Sequence, residues 1–233
     1  MLKLHVLASG SKGNAAIVEN ATTGAGVLID CGICKRDFLA RCEQAGFDPA
    51  RIEALVITHE HSDHTKGLGV VLRGLAKLGC SPTIYANAAC VANSAPLTDI
   101  AKNSDVQPLE ANGRISAAGL TIDPFATSHD AAASFGFRIE DKSDGDTLGY
   151  ITDSGIVPSA AHEALQGVRI LALESNHDEA MLKNGDYPYV IKQRIASQLG
   201  HLSNPQAADE LATLVAHSRE AGLREPETVV AMH

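Results

Sequence analysis

The sequence predicts one α/β domain with β-sheets inside and helices outside. Three observations carry this expectation. Of the 233 residues, 45% are apolar and 20% charged, ordinary globular proportions that exclude a disordered, collagenous or coiled-coil chain. Strand-like and helix-like segments alternate in both halves, with a hairpin-rich stretch between them. No linker, low-complexity tract or internal repeat divides the chain, so residues 1–233 are expected to form a single domain.

Residues 2–8, 15–19 and 26–30 read as short strands, and Ser9-Gly10-Ser11-Lys12-Gly13-Asn14 is a turn-rich loop after the first. A helix is expected over 35–46, stopping at Gly46. Residues 53–58 form a continuous apolar run of the kind seen in strands buried on both faces. A helix over 66–79 follows, then strands at 83–86, 105–109, 114–117, 119–126, 134–140 and 147–152. Next come a helix at 159–166, a buried strand at 168–173, and a helix within 187–199 that stops at Gly200. Ser203-Asn204-Pro205 is a helix start, because a capping side chain precedes a proline whose missing N–H costs nothing there. Ala208, Leu211, Ala212 and Val215 then recur at helical spacing up to Gly222, and 228–232 is a last strand before His233.

Composition bounds the function. Nineteen Lys and Arg against 28 Asp and Glu give a net charge of −9, which argues against a general polyanion-coating protein. It does not exclude a nuclease, since a bound metal and local charge can hold a phosphate. Trp is absent and aromatics make up 4%, so stacking platforms are scarce. The five cysteines are an odd number with no disulfide framework, which points to a reducing, cytoplasmic setting. Cys31 and Cys34 form a CxxC with no second pair, so a redox or structural-metal role is the lesser reading. No apolar run is long enough to span a bilayer, and Lys3 and His5 make the N-terminus a strand rather than a signal peptide.

The chemistry concentrates in Thr58-His59-Glu60-His61-Ser62-Asp63-His64, directly after the buried strand. Side chains alternate along an extended segment, so His59 and His61 point the same way, while Asp63 and His64 turn to a neighbouring position as a helix begins. One loop can therefore offer two ligands to each of two metal ions. His129, Asp153 and His233 are candidates for the rest, because each also follows a strand, and converging strand ends are where α/β sheets build sites. His162 and His217 read as solvated helix positions and His5 as packed or supporting, while His177 is open.

With these motifs the chain resembles the metallo-β-lactamase superfamily, whose signature is H-x-H-x-D-H after a strand. The resemblance covers essentially the whole chain and looks closest to the small nuclease branch of the YycJ/WalJ/VicX type. It is carried further by Ser9–Asn14, Leu28-Ile29-Asp30-Cys31-Gly32, Ser128-His129-Asp130, Phe135-Gly136-Phe137 and Ile151-Thr152-Asp153-Ser154-Gly155. Glu174-Ser175-Asn176-His177-Asp178 and Gly200-His201-Leu202-Ser203-Asn204 point to the branch. The resemblance implies an αββα sandwich with the site at one edge. It implies that His59, His61 and His129 hold one divalent ion, that Asp63, His64 and His233 hold a second, and that Asp153 bridges them. The ions would be Zn²⁺ or Mn²⁺. Members of the family usually continue past the position of His233.

The implied activity is a dinuclear-metal phosphodiesterase acting on nucleic acid, a DNA 5′-to-3′ exonuclease. Two ions about 3.5–4 Å apart can share a water, acidify it to a bridging hydroxide and clamp an in-line displacement. Asp63 is counted with the catalytic residues as well as the ligands. The leaving oxygen needs a proton, which His201 could give, with Glu174 orienting it. Ser11, Asn14, Ser203 and Asn204 are candidate phosphate contacts, from a donor-rich loop and a helix start. Lys183, Lys192 and Arg194 form a basic cluster that reads first as a solvated face. The competing expectation is a thioester or lactone hydrolase of the glyoxalase II kind on the same scaffold, since such a site serves acyl transfer equally well. His129 and Asp153 are too close in sequence to admit an inserted nucleic-acid clamp domain or a long tRNA-gripping arm.

Overall fold

The computed structural model describes every residue from Met1 to His233. The first half builds strands β1 (Leu2–Ala8), β2 (Ala15–Asn20), β3 (Gly26–Ile29), β4 (Ile52–Val56), β5 (Thr83–Ala86) and β6 (Val106–Pro108). Helix α1 (Lys35–Ala45) joins β3 to β4, α2 (Ser62–Thr65) and α3 (Leu68–Lys77) join β4 to β5, and α4 (Ala88–Asn93) and α5 (Ala95–Ala101) join β5 to β6. The second half builds β7 (Ile115–Ala117), β8 (Leu120–Ala126), β9 (Phe135–Asp141), β10 (Thr147–Ile151), β11 (Ile170–Glu174) and β12 (Thr228–Met232). Its helices are α6 (Ser159–Leu165), α7 (Glu179–Asn184), α8 (Tyr189–Ile195) and α9 (Asn204–Glu220).

These strands make two six-stranded sheets, ordered β1-β2-β3-β4-β5-β6 and β12-β11-β10-β9-β8-β7. Each is mixed. Antiparallel hairpins join β1 to β3 and β7 to β10, while β3 to β6 and β10 to β12 run parallel through helical crossovers. The alternation of side chains assigns residues to three apolar layers. Ala16, Val18, Val27, Ile29, Phe137 and Tyr150 point between the sheets. Ile17, Leu28 and Leu55 face the other way, onto Phe38 of α1 and Leu68, Val71 and Leu75 of α3. Ile151, Leu171 and Leu173 pack on Ala161 and Leu165 of α6 and Leu214 of α9. Strands covered on both faces read as unbroken apolar runs for this reason. The αββα sandwich implied by the resemblance is the architecture observed.

Parallel pairing brings together the C-terminal ends of β3 and β4 in one sheet and of β10, β11 and β12 in the other, and the approach of His64 to Asp153 puts both sets at one edge of the sandwich. β8, antiparallel to β9, which is antiparallel to β10, ends there too. That edge collects Asp30, His59, His129, Asp153, Glu174 and His233.

Several local expectations change. The helix expected at 66–79 begins earlier and is split: α2 starts inside the histidine motif, and α3 follows. Glycine explains the join. A Cβ on Gly67 would lie 1.9 Å from the carbonyl oxygen of Ile33, and one on Gly32 would lie 1.5 Å from that of Asp63, so only glycine lets these loops touch. Helices α4, α5 and α7 are additions to the expected elements. Each is under two turns, too short for a helical period to show, although Asn87, Ser94 and Asp178 cap them. The helix placed within 187–199 ends at Ile195, before a turn leading to Gly200. Ser203 and Gln206 do form a capping box at the start of α9. No helix is long and apolar enough to cross a membrane.

Candidate metal centre

His59 and His61 lie in the extended segment after β4, as alternation requires, and their rings meet that of His129. His61 Nδ1 is 3.1 Å from His59 Nε2 and 3.2 Å from His129 Nε2. His129 is aimed by a hydrogen bond of 3.1 Å between its Nδ1–H and the carbonyl oxygen of Gly200, which leaves Nε2 without a proton. Burial holds both His59 and His129 below the usual imidazole range, against a smaller opposing pull from Asp153, so both are neutral. At most one hydrogen lies among the three facing nitrogens and it can serve one contact, leaving lone pairs against each other. A shared cation relieves that arrangement, and three imidazoles suit a divalent transition metal.

Beside it, His64 Nε2 stands 3.2 Å from Asp153 Oδ2 and 3.6 Å from Asp63 Oδ2. His64 is fully buried. Burial opposes its charged form, but Asp153 and Asp30 overcome this and hold it well above the usual range. Asp153 belongs to both neighbourhoods: its oxygens group with His59 and His64, and also with His129 and His201. Its backbone has φ +50°, the left-handed region that costs a non-glycine residue energy and that persists where the surroundings over-determine it. His233 sits on the same edge, its backbone N–H donating to Ser9 Oγ at 2.8 Å. Burial lowers its proton affinity, with Asp153 and Asp63 near enough to pull the other way. The seven residues expected as ligands thus share one edge, and the histidines and Asp153 gathered there suit divalent metal. Asp63 and His233 lie further from the closest groupings than the other five.

His201 has a different attachment. Its Nδ1 is 2.6 Å from Glu174 Oε1, and Glu174 Oε2 accepts from the Ser154 N–H at 2.5 Å. Glu174 has no exposed surface, so it is a buried partner of His201 and not a surface acid at a strand end. Burial pushes its carboxyl up to about 7, and His201 is raised by Glu174 against the effect of its own burial. Nδ1, the atom 3.5 Å from Asp153, is committed to Glu174, leaving Nε2 as the free ring nitrogen on a cavity of about 790 Å³.

The four candidate phosphate contacts separate into two pairs. Ser11 and Asn204 line that cavity. Asn14 does not: it is buried, accepts from the Gly10 N–H, and turns its Nδ2 to His64 Nε2 at 2.9 Å and Asp63 Oδ2 at 3.3 Å. Ser203 is buried and spent on the helix cap and on Glu179. In the basic cluster, Arg194 is paired with Asp130, and Lys192 Nζ donates to the Lys183 carbonyl. His5 pairs with Glu19 at 2.6 Å and His162 with Glu210 at 2.9 Å, which ties His162 down more than a solvated position would be. Cys31 is buried with its thiol pushed up to about 12, and Cys34 is exposed, with no bond between them.

Asp30 was missed as a site residue. It has no exposed surface, it has φ +55°, and its carboxylate takes the Thr58 N–H at 2.8 Å, the Thr58 hydroxyl at 2.6 Å and His64 Nδ1 at 2.8 Å. An aspartate closing an apolar run was the available signal. Asp30→Asn is expected to weaken metal binding at His64 by about 10- to 100-fold, the usual effect of losing such a partner. Chelator-competition titration with the fold checked by circular dichroism measures it; an unchanged affinity would show that Asp30 serves the fold alone.

A family profile describing a beta-lactamase superfamily domain matches residues 26–233. Exodeoxyribonuclease WalJ of Streptococcus pneumoniae is 34% identical over 215 residues, covering 90% of this chain and 75% of that protein. Exodeoxyribonuclease YycJ of Bacillus anthracis is 33% identical over 215 residues, covering 92% of this chain and 78% of its own length. Among solved structures, the metallo-β-lactamase fold protein YhfI from Bacillus subtilis superimposes with a TM-score of 0.68 at 17% identity, covering all of this chain and 97% of that one. The short form of human tRNase Z does so with a TM-score of 0.70 at 17% identity, over 99% of this chain and 91% of that one. At such identities the structural likeness speaks to the fold alone.

Proposed function

The chain belongs to the metallo-β-lactamase superfamily, within the branch of the WalJ and YycJ proteins, and on that premise we propose that it is a metal-dependent exonuclease acting on DNA from the 5′ end in the cytoplasm. The observation that carries this reading is His201, held by Glu174 next to two facing sets of metal-type donors and open on its other side to a cavity. Relatives named exodeoxyribonucleases, at a third identity over most of both chains, support the substrate and the attack on chain ends.

In this proposal His59, His61 and His129 would hold one divalent cation, Asp63, His64 and His233 would hold a second, and Asp153 would contribute to both. Zn²⁺ and Mn²⁺ suit these donors. Cations bound there lower the pKa of water toward about 7 and polarise a phosphoryl oxygen. The chain's own residues do the rest. Asp30 holds His64 through Nδ1, which leaves Nε2 as the nitrogen that faces the centre. The His201–Glu174 pair keeps one hydrogen between Oε1 and Nδ1 and a second on Nε2, wherever the first lies along that short contact. The Nε2 hydrogen is the one given to the departing 3′ oxygen. Ser11 and Asn204 border the space where the substrate sits.

Linear DNA labelled at either end tests the proposal, with Mn²⁺ or Zn²⁺ added to metal-stripped protein. Early release of the 5′ label and no cleavage of closed circles is the expected result. Inertness toward DNA together with hydrolysis of a glutathione thioester would replace it with the acyl-hydrolase reading.

A further inference from the structure

The acidic net charge of −9 conceals an uneven distribution. From His64 to Thr98 the chain contains no Asp or Glu, while Lys66, Arg73 and Lys77 lie in that stretch. Lys66 and Gly67 keep right-handed helical angles between α2 and α3. Positions 73 and 77 therefore fall within about 20° of Lys66 around the helix, making one exposed stripe. Its near end touches the site: Lys66 Nζ donates to the Lys12 carbonyl at 2.8 Å, in the loop whose Ser11 lines the catalytic cavity. At its far end Arg73 and Lys77 join Lys35 and Arg36 of α1 around a groove of about 620 Å³. The Lys35 side chain lies over Gly74 there, its Cδ 2.8 Å from where a Cβ on Gly74 would be.

These charges are unspent. Lys12, Lys35, Lys66, Arg73 and Lys77 form no ion pair; Arg41, Arg51, Arg138, Lys142, Lys183 and Lys192 form none either, but they lie outside the stripe and its groove, while Lys3, Lys102, Arg114, Arg169, Arg194 and Arg219 each stand against a carboxylate. Arg36 alone of the stripe and groove is paired, with Asp37. A row of exposed, unneutralised cations on an acidic protein concentrates polyanions at that face and repels them elsewhere.

We infer that this stripe is a binding track for the DNA backbone, leading from the metal centre along α3 to the α1–α3 groove. The inference rests on the proposed nuclease function. From Lys66 to Lys77 the helix rises about 16 Å, the axial length occupied by about five phosphates of one DNA strand. The groove offers point charges and no aromatic ring, so it holds phosphates and does not read bases. The track anchors the part of the substrate that has not yet been degraded, which favours long DNA over short products.

The test measures binding of a labelled DNA duplex, long enough to reach both the centre and the groove, to metal-stripped protein across a range of salt. Lys35→Glu with Arg73→Glu and Lys77→Glu is compared with wild type, and a Gln set at the same positions guards against misfolding. The slope of log K against log salt should become shallower by about 2–3, in proportion to the phosphates that the variant no longer neutralises. Wild type and variants, loaded with metal, should hydrolyse a small nitrophenyl phosphodiester equally well. Unchanged DNA affinity and slope in the charge-reversed protein would overturn the track, as would a wild type that does not bind DNA. The expected weakening of binding, in a protein that cleaves neither substrate, would leave the track standing and remove the nuclease reading.

Discussion

His201→Ala is expected to lower kcat on DNA by on the order of 10²–10⁴, the usual worth of a general acid, with bound metal unchanged. His201 is tied through Nδ1 to a buried carboxylate, whereas His59, His61 and His129 face one another with their nitrogens. A substrate with a nitrophenolate leaving group needs no proton and should lose far less. Glu174→Gln tests the positioning role by another readout. Removing the carboxylate that raises His201 should move the alkaline limb of the pH–rate profile to lower pH, because the Nε2 hydrogen is then lost earlier. An equal loss on both substrates would contradict the leaving-group role, and a loss of metal in the alanine variant would make His201 a ligand.

Asp153→Ala is expected to produce the largest effect of any single change. Asp153 is the one carboxylate in these groupings, near His59 and His64 and also near His129, so its loss should lower occupancy of both proposed ions and reduce activity by about 10³ or more. Metal content measured by mass spectrometry of the purified protein checks this separately from turnover. Asp63→Asn supplies the contrast: it should weaken the position at His64 and leave that at His59, His61 and His129 largely filled. Loss of one ion with Asp153→Ala, or of both with Asp63→Asn, would mean that the ligands are divided differently.

Much of this site is legible in the chain because its ligands follow a local rule. His59, His129 and Asp153 lie just past buried strands, which apolar runs announce, and His233 follows the apolar edge strand β12. The H-x-H-x-D-H segment also carries its own geometry, since alternation and the onset of α2 separate the two ligand pairs. Asp30 and Asn14 follow no such rule. They act on His64 across 34 and 50 residues of sequence, and nothing in their neighbourhoods shows which nitrogen they will meet. The same holds for Ser203 and Asn14, expected as phosphate contacts and found buried with protein partners, because a hydroxyl or amide reads alike whether it is free or already spent.

What chain order alone settles here is the order of the strands and longer helices, the residue types able to bind metal, and the capped start of α9, all consequences of interactions within a few residues. Glu174 marks where that reach stops. A glutamate at the end of an apolar strand fits a surface acid and a buried partner equally well. It becomes the partner of His201 because β11 lies between β10 and β12, away from either edge of its sheet, with Ser154 on one side of the carboxylate and His201 on the other. Burial at that point raises the cost of leaving a carboxylate unpaired, so packing converts an ambiguous residue into a defined one.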